Sequence, residues 1–245
     1  MKPLIYAHRG ASGRYPENTF DAFHAALRHG ADGIELDVQL SSDHEVVVIH
    51  DVKVNRTTNG TGLVQNHTWK ELRQLSAGGW FHPRFQAARI PSLHEVFAFA
   101  KPTSLRLILE MKNLLVPQPG LEDKVLELID LYKLEKRVTI SSFNYSSLAE
   151  IKRKNRKIQT ALLYIGKLSD PWEVAEQYQA EQLHAPVGGI DRTLLDQAHR
   201  RKLSVVAWTV NDPSAIRRLA SWDIDGLITN YPRRARRLVD TKKEP

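Results

Sequence analysis

The feature that most constrains the fold is a regular alternation of short apolar runs with segments of helical period. Each apolar run has the length of a strand. A polar turn follows it, and then apolar residues recur three or four positions apart, as in a helix packed on a core. Strands separated by helices pair in parallel, because a parallel connection needs a crossover of a dozen residues or more. Eight such strands are predicted, at residues 4–8, 33–37, 105–112, 138–143, 160–165, 182–186, 204–210 and 226–230.

Eight strand–helix units in a chain of 245 residues suit one closed barrel. We therefore predict an α/β fold, a (β/α)8 TIM barrel built by a single domain 1–245. An open, doubly wound parallel sheet is the alternative. Residues that favour helix N-termini support the helical segments. They are Asn18-Thr19, Pro91-Ser92, Asn144, Asp191 and Asp212, and residues 121–132 form a further amphipathic helix.

One pair of strand-like segments breaks this alternation. Only four residues separate 33–40 from 45–50, which is too short for a parallel crossover, so the two segments are predicted to pair as an antiparallel hairpin. A turn centred near Asp43 places residue i opposite residue 86 minus i. Near the carboxyl ends of the strands, this register pairs Asp37 with Ile49 and Glu35 with Asp51.

The stretch that follows the hairpin is too long for an ordinary connection between barrel strands. It is rich in Asn, Thr, Gly and His, and it carries several aromatic residues. Long connections inside compact domains usually serve a function. We interpret residues 38–90 as a small insertion that covers one end of the barrel.

Composition narrows the classes of function. The chain has no cysteine, which excludes disulfide scaffolds, zinc fingers and thiol nucleophiles. The apolar run at the amino terminus is too short for a signal peptide, and no uncharged stretch approaches 18 residues. A cytoplasmic protein without stable membrane insertion is therefore expected. The net charge of +7 favours an acidic ligand such as a phosphate.

Two basic runs, 152–157 and 233–237, contribute to this charge. We interpret them as solvated helix faces. No aromatic residues interleave with them, as binding to single-stranded nucleic acid would require, so no nucleic-acid partner is expected.

Ionisable side chains collect at the carboxyl ends of the predicted strands. Glu35 and Asp37 share one face of a strand, because side chains alternate along it. Polar groups at the carboxyl ends of barrel strands converge on the mouth, where the active sites of such barrels lie. The hairpin brings a histidine to the same rim. The residues expected to meet there are His8, Arg9, Glu35, Asp37, His50, Glu110 and Lys112.

Three carboxylates at one rim predict a bound cation. Two unit charges about 6 Å apart repel by roughly 3 kcal/mol at an effective dielectric constant near 20. Carboxylate oxygens are the ligands that Ca²⁺ and Mg²⁺ prefer, and Mn²⁺ is a further candidate. A Zn²⁺ site that uses His8 and His50 is less attractive, because it would consume the two groups best suited to proton transfer. One divalent ion, Ca²⁺ or Mg²⁺, is expected.

The same residues belong to an ordered series of motifs that resembles the glycerophosphodiester phosphodiesterase family, in particular its short bacterial cytoplasmic members. The resemblance runs from residue 5 to about residue 232. It rests on the whole series rather than on any one motif. The motifs are His8-Arg9-Gly10, Pro16-Glu17-Asn18-Thr19, Glu35-Leu36-Asp37-Val38, His50-Asp51, Ile90-Pro91-Ser92-Leu93, Glu110-Met111-Lys112, Trp208-Thr209-Val210-Asn211 and Asp225-Gly226-Leu227-Ile228-Thr229-Asn230.

The resemblance implies a barrel of the phospholipase-C-like phosphodiesterase type, with the β-hairpin and a small capping insertion after the second strand. It also implies metal-dependent hydrolysis of glycerophosphodiesters such as glycerophosphocholine or glycerophosphoethanolamine. The products would be sn-glycerol 3-phosphate and an alcohol. In this family the neighbouring glycerol hydroxyl is thought to attack first, giving a cyclic phosphate that water then opens.

Matched position by position, the resemblance also implies roles for individual residues. The metal ligands are Glu35, Asp37 and Glu110, the catalytic pair is His8 and His50, and the phosphate contacts are Arg9 and Lys112. Glu17 belongs to a motif near the metal, and Phe143 and Trp208 match positions that border the substrate pocket. Which histidine acts as acid and which as base stays open. Asn230 departs from the family pattern, where an aspartate is common.

One further histidine and two alternative functions complete the predictions. His184 ends a strand and either lines the mouth or is a satisfied core residue. A lysophospholipase D would need an apolar channel, which Trp69, Trp80, Phe81 and Phe85 of the insertion could supply. The other alternative is an inactive phosphate- or lipid-binding module. In each case the partner is a small molecule, and the chain is a monomer or a homodimer.

Overall fold

Eight parallel strands close into a barrel in the computed structural model, which describes residues 2–241. Around the ring, each strand pairs in parallel with its neighbours, and pairing of the first strand with both the second and the last closes the ring. The predicted (β/α)8 barrel is therefore confirmed. The strands are β1 (Leu4–His8), β2 (Gly33–Leu40), β3 (Val46–Val48), β4 (Arg106–Met111), β5 (Val138–Ser142), β6 (Gln159–Leu163), β7 (Gln182–Pro186), β8 (Ser204–Trp208) and β9 (Gly226–Thr229).

Helices connect the barrel strands. At four of the predicted N-termini a side chain accepts a hydrogen bond from the first turn, namely at Thr19, Ser92, Asp191 and Asp212. Asn144 precedes α5 as predicted, but its side chain does not accept a hydrogen bond from the first turn. Its Nδ2 instead donates to the backbone carbonyl of Asn113 at 3.3 Å. The helices are α1 (Phe20–Arg28), α2 (Trp69–Leu72), α3 (Leu93–Ala100), α4 (Leu121–Tyr132), α5 (Tyr145–Lys154), α6 (Pro171–Gln177), α7 (Arg192–Arg200), α8 (Pro213–Ala220) and α9 (Pro232–Asp240), with short 3-10 turns at Val64–Asn66, Pro83–Phe85 and Val187–Gly189.

The hairpin formed by β2 and β3 has the predicted register, since Val38 lies opposite Val48 and Leu40 opposite Val46. The amide of Ile49 also donates to the carbonyl of Asp37 at 3.1 Å. The predicted pairing of Glu35 with Asp51 is wrong. At that level both edges of β2 are already occupied, one by β1 and the other by β4, so β3 can pair only beyond this point.

The connection after the hairpin folds over its own small core. This core contains Val54, Val64, Leu72 and Ile90, which pack with Val47 of β3. The segment therefore has apolar support of its own. It carries His50 and the residues after it to the carboxyl ends of the barrel strands.

The inside of the barrel is packed around Tyr6, together with Ile108, Val206 and Ile228. Glycine at position 33 of the neighbouring strand makes room for the tyrosine ring, because a Cβ there would lie 2.6 Å from Tyr6 Cδ1. A second apolar layer lies between the outer faces of the strands and the helices. With its interior filled, the barrel leaves its polar groups at the mouth.

The basic runs on α5 and α9 are only partly solvated, which corrects the interpretation above. Lys152 is 4% exposed, pairs with Glu181 and donates to the carbonyl of Ile158 at 2.8 Å. Arg236 of α9 pairs with Asp32, which precedes β2. One cation in each run therefore joins helix to barrel. Among residues 2–241, no helix has both the length and the apolar character needed to cross a membrane.

Candidate active site

Three carboxylates meet at the carboxyl ends of β2 and β4. Asp37 lies directly beside Glu110 in the parallel register, and Glu35 lies two residues earlier on the same face of β2. One carboxylate oxygen from each residue lies within 4.8 Å of the other two. Asp37 is fully buried and Glu35 is 4% exposed. Adjacent parallel strands thus gather three acidic groups that the sequence separates by up to 75 positions, counting from Glu35 to Glu110.

Two cationic side chains line this acidic cluster. Arg9 Nε lies 3.3 Å from Asp37 Oδ2. Lys112 donates from Nζ to Glu110 Oε1 at 2.5 Å and lies 3.8 Å from Asp37 Oδ1. The asparagine of the second motif is also part of the site, since Asn18 donates from Nδ2 to Asp37 Oδ2 at 2.8 Å. The predictions assigned Asn18 only to the start of α1.

The backbone after β1 is held in an unusual conformation. Arg9 has a φ of +53°, a left-handed value that is strained for a residue with a side chain. Its amide donates to the carbonyl of Glu35 at 2.8 Å and to Glu35 Oε2 at 3.1 Å, which holds the turn in place. Gly10 follows with a φ of +80°, and a Cβ there would lie 2.6 Å from Ala22 Cβ. The motif His-Arg-Gly therefore has a steric basis.

The charges at the cluster show whether a metal ion would fit. Three carboxylates face two cationic side chains, Arg9 and Lys112, so the ionised cluster has one negative charge that neither cation balances. Burial, together with the charges of Asp37 and Glu110, raises the pKa of Glu35 well above its usual range. For Asp37, burial opposes ionisation, but Arg9, His50 and Lys112 hold its pKa below the ordinary value. Asp37 Oδ1 is buried without a hydrogen-bond partner. An ionised cluster with one unpartnered oxygen fits a hard divalent ion. Opposite oxygen ligands of Ca²⁺ lie about 4.6–5.2 Å apart, and the separations of up to 4.8 Å in this cluster suit such an ion.

His8 lies at the end of β1 with its two ring nitrogens in different surroundings. Nδ1 lies 2.7 Å from Asn230 Oδ1, and Nε2 lies 3.9 Å from Glu35 Oε2. An amide oxygen can only accept, so Nδ1 carries the proton of the neutral ring and Nε2 is the free acceptor. Burial, with help from the charge of Arg9, lowers the pKa of His8 to about 4. His8 is therefore neutral at pH 7.

His50 lies after β3, where its charge acts on both Asp37 and Glu110. His50 Nδ1 lies 2.6 Å from Asp51 Oδ1, and since a carboxylate can only accept, Nδ1 donates here as well. Arg56 in turn donates to Asp51 from Nε at 2.7 Å and from Nη2 at 2.9 Å. The sequence did not point to Arg56, because its partners are known only once the insertion has folded over the mouth.

Glu17 contacts guanidinium groups rather than the acidic cluster. Glu17 Oε1 accepts from Arg9 Nη1 at 2.7 Å and from Arg56 Nη2 at 2.8 Å, and Oε2 accepts from Arg56 Nη1 at 2.9 Å. These contacts hold the pKa of Glu17 below its ordinary value despite its partial burial. Both of its oxygens are engaged, so Glu17 orients arginines.

The remaining predicted site residues lie on the other side of the barrel axis. Phe143 and Trp208 meet edge to face, with ring centroids 6.0 Å apart and both side chains partly exposed. Trp208 Nε1 donates to the carbonyl of His184 at 3.0 Å. His184 itself is 1% exposed, and its Nε2 lies 3.2 Å from Gln182 Oε1. Its imidazole is thus a core group, while its backbone supports an aromatic wall.

Comparison with known proteins identifies the family. The model of the glycerophosphoryl diester phosphodiesterase family matches residues 8–234. The chain belongs to this family. The prediction that it is an enzyme, a phosphodiesterase of this type, is therefore confirmed.

Several members of the family resemble the chain over nearly its whole length. It is 41% identical over 232 residues to the glycerophosphodiester phosphodiesterase of Caldanaerobacter subterraneus, which covers 95% of this chain and 96% of the relative. It is 38% identical over 242 residues to that of Bacillus altitudinis, covering 98% and 99% of the two chains.

Solved structures show the same fold. A phosphodiesterase from Oleispira antarctica, in complex with the product sn-glycerol-3-phosphate, superposes with a TM-score of 0.88 at 31% identity and covers 98% of this chain and 97% of its own. A glycerophosphodiester phosphodiesterase from Agrobacterium tumefaciens has a TM-score of 0.85 at 28% identity, with 95% and 98% covered.

Proposed function

We propose that this family member hydrolyses small glycerophosphodiesters, such as glycerophosphocholine and glycerophosphoethanolamine, to sn-glycerol 3-phosphate and an alcohol. One observation carries the proposal. The carboxylates of Glu35, Asp37 and Glu110 converge within 4.8 Å of one another, and the two histidines of the site, His8 and His50, are each anchored through Nδ1. The Oleispira antarctica relative, bound to sn-glycerol-3-phosphate, supports the same product for this chain.

In this proposal Glu35, Asp37 and Glu110 hold one divalent ion, Ca²⁺ or Mg²⁺, with Mn²⁺ also able to bind oxygen ligands of this kind. When bound, such an ion neutralises phosphate oxygens and so lowers the barrier to nucleophilic attack. Lys112 and Arg9 line the cluster and contact the phosphate. Their N–H groups add stabilisation as negative charge builds up in the transition state.

The two histidines move the protons. The bond from Nδ1 of His8 to Asn230 Oδ1 leaves Nε2 as the acceptor, so His8 is the general base that takes a proton from the attacking glycerol hydroxyl. His50 is oriented by the hydrogen bond from its Nδ1 to the carboxylate of Asp51, and it is the acid that protonates the leaving alkoxide. Water then opens the cyclic phosphate with the two roles exchanged.

Phe143 and Trp208 are proposed to border the pocket for the alcohol or glycerol group, because they are the partly exposed aromatic pair beside the mouth. We further propose that the chain works as a single domain in the cytoplasm, as a monomer or homodimer. All the groups described here come from one chain, so the proposed hydrolysis needs no residue of a second chain.

A coupled assay for sn-glycerol 3-phosphate tests the proposal. Glycerophosphocholine, glycerophosphoethanolamine and glycerophosphoglycerol are offered as substrates, with EDTA, Ca²⁺, Mg²⁺ or Mn²⁺. We expect the protein to release sn-glycerol 3-phosphate. EDTA should abolish this release, and at least one of the three ions should restore it. The Glu35→Gln variant is the matched control, since it keeps the shape of the site and removes one anionic ligand. Release that persists in EDTA would contradict metal dependence, and no release from any diester would contradict the substrate class.

One observation favours a second candidate, a lysophospholipase D. Leu114, Leu115 and Ile165 lie in the connections after β4 and β6, at the mouth, and are 59%, 84% and 74% exposed. They could contact an acyl chain. The predicted aromatic channel receives less support, because Phe85 is buried and the rings of Trp80 and Phe81 pack on each other. Comparing kcat/KM for glycerophosphocholine and lysophosphatidylcholine separates the two candidates.

A further inference from the structure

Arg56 joins two carboxylates that lie 34 positions apart in the chain, as counted from Glu17 to Asp51. On one side it donates to Asp51 through Nε and Nη2, at 2.7 and 2.9 Å. On the other it donates to Glu17 through Nη1 and Nη2, at 2.9 and 2.8 Å. All three of its nitrogens are therefore committed. Arg56 thereby hydrogen-bonds the insertion to the turn after β1.

The link leads directly to His50. The carboxylate of Asp51 has three hydrogen bonds, one with His50 Nδ1 and two with Arg56. Without the guanidinium, only the imidazole would orient this carboxylate. Glu17 would likewise keep only its contact with Arg9. Loss of Arg56 thus removes two of the three hydrogen bonds of each carboxylate and leaves Asp51 held by the imidazole alone.

We propose that Arg56 is a positioning residue for catalysis, which uses Glu17 as its anchor to hold Asp51 in line with Nδ1 of His50. The inference rests on the function proposed above, because it assigns a proton-transfer role to His50. A base or acid whose ring is oriented by a third group is a recurring arrangement in hydrolases. Here the orienting carboxylate is itself fixed by a fourth residue.

The geometry requires an arginine. A planar guanidinium can present paired N–H groups to two carboxylates at once, whereas a lysine ammonium is a single point charge without this fork. The Arg56→Lys variant therefore keeps the charge and loses the double bidentate contact. If positioning matters, this variant loses activity although the charge is kept, which a general electrostatic effect would not produce. Because it is the more conservative replacement, it also keeps the test valid if Arg56→Ala fails to fold.

The kinetic test compares Arg56→Ala and Arg56→Lys with Arg73→Ala. Arg73 is a control from the same insertion; it is exposed and lies over the ring of Trp69. With glycerophosphocholine and a saturating divalent ion, we expect kcat to fall by about 10- to 100-fold in both Arg56 variants, as when partners that orient functional groups are removed. KM should change little, and added guanidinium ion, but not methylammonium, should restore part of the activity of Arg56→Ala.

A double variant shows whether the effect runs through Asp51. If it does, Arg56→Ala lowers kcat no further in a chain that already carries Asp51→Asn. Independent, multiplicative losses would overturn the proposal. So would a wild-type kcat in Arg56→Ala, or a loss shared equally by the Arg73→Ala control.

The third measurement does not depend on activity and separates this inference from the proposed function. In proton–nitrogen-15 correlation NMR spectra of the metal-loaded protein, the Nδ1 proton of His50, which is hydrogen-bonded to Asp51, should resonate at low field. We expect this resonance to be lost or shifted upfield in Arg56→Ala and to be retained in Arg73→Ala. An unchanged resonance in Arg56→Ala would refute the positioning role, even for a chain whose substrate is other than the one proposed.

Discussion

Asn230 accepts a hydrogen bond from Nδ1 of His8 at 2.7 Å, across the seam where the last barrel strand meets the first. The acceptor is an uncharged amide. His50, in contrast, is bonded to the carboxylate of Asp51. The two histidines of the site thus differ in the charge of their partners, and this difference has consequences that can be measured.

The Asn230→Asp variant should move the acidic limb of the pH–activity profile. An added carboxylate favours the protonated ring, so the pKa of His8 rises from about 4. A general base works only when neutral, so kcat/KM at pH 5 should fall and the acidic limb should shift upward by about one pH unit or more. Asn155→Asp, at the end of α5, adds the same charge far from the mouth and should leave the profile unchanged. A shift of the alkaline limb alone would instead make His8 the acid.

Removing either imidazole should nearly abolish turnover. His8→Ala and His50→Ala are each expected to lower kcat by at least about 100-fold, the contribution typical of a positioned acid or base. His24→Ala, in which an exposed histidine of α1 is removed, is the control and should retain wild-type turnover. Steady-state kinetics with glycerophosphocholine would measure the loss. Near-normal activity in either variant would remove that residue from the mechanism.

Metal affinity should depend on Glu110. Replacing it by glutamine leaves Lys112 without its 2.5 Å carboxylate partner and removes one of three converging oxygens. We expect the divalent-ion concentration for half-maximal activity to rise by at least about tenfold, in line with the sensitivity of metal sites to changes around the ligands. Calorimetry with Ca²⁺ and Mg²⁺ gives an independent value. Glu127→Gln, on the surface of α4, serves as control, and equal affinities in both variants would reject Glu110 as a ligand.

The buried imidazole of His184 should make the fold sensitive to acid. Burial lowers its pKa from 6.5 to about 3, so between these values the unfolded chain binds a proton that the folded chain does not. Stability from this group is therefore complete above pH 6.5 and falls as the pH drops, by about 1.4 kcal/mol per unit at the steepest. Urea unfolding at pH 7 and pH 5 should show a smaller loss in His184→Gln than in wild type. His24→Gln should behave as wild type does.

Much of the fold follows from local rules acting on particular residues. A four-residue turn fixes the hairpin register, so Val38 meets Val48 as expected. Ser92 begins a helix because its hydroxyl accepts from the amide of Glu95, three residues later. The acidic cluster was predictable for a similar reason, since strand alternation and parallel neighbours bring Glu35, Asp37 and Glu110 to one rim.

Other parts of the site depend on contacts that no local pattern contains. Arg56 and Glu17 meet only because the insertion folds back over the turn after β1. The partner of His8 lies 222 residues away. The predicted pair of Glu35 and Asp51 was wrong because the pairing pattern alone does not reveal that β1 already occupies that edge of β2.

Closure of the ring between β1 and β9 makes the site a late product of biosynthesis. The ribosome releases His8, Arg9 and both acidic strands long before Asn230 exists, and the seam can form only when β9 is free of the exit tunnel. A chain that stops short of β9 should therefore carry the side chains proposed for catalysis and still lack turnover.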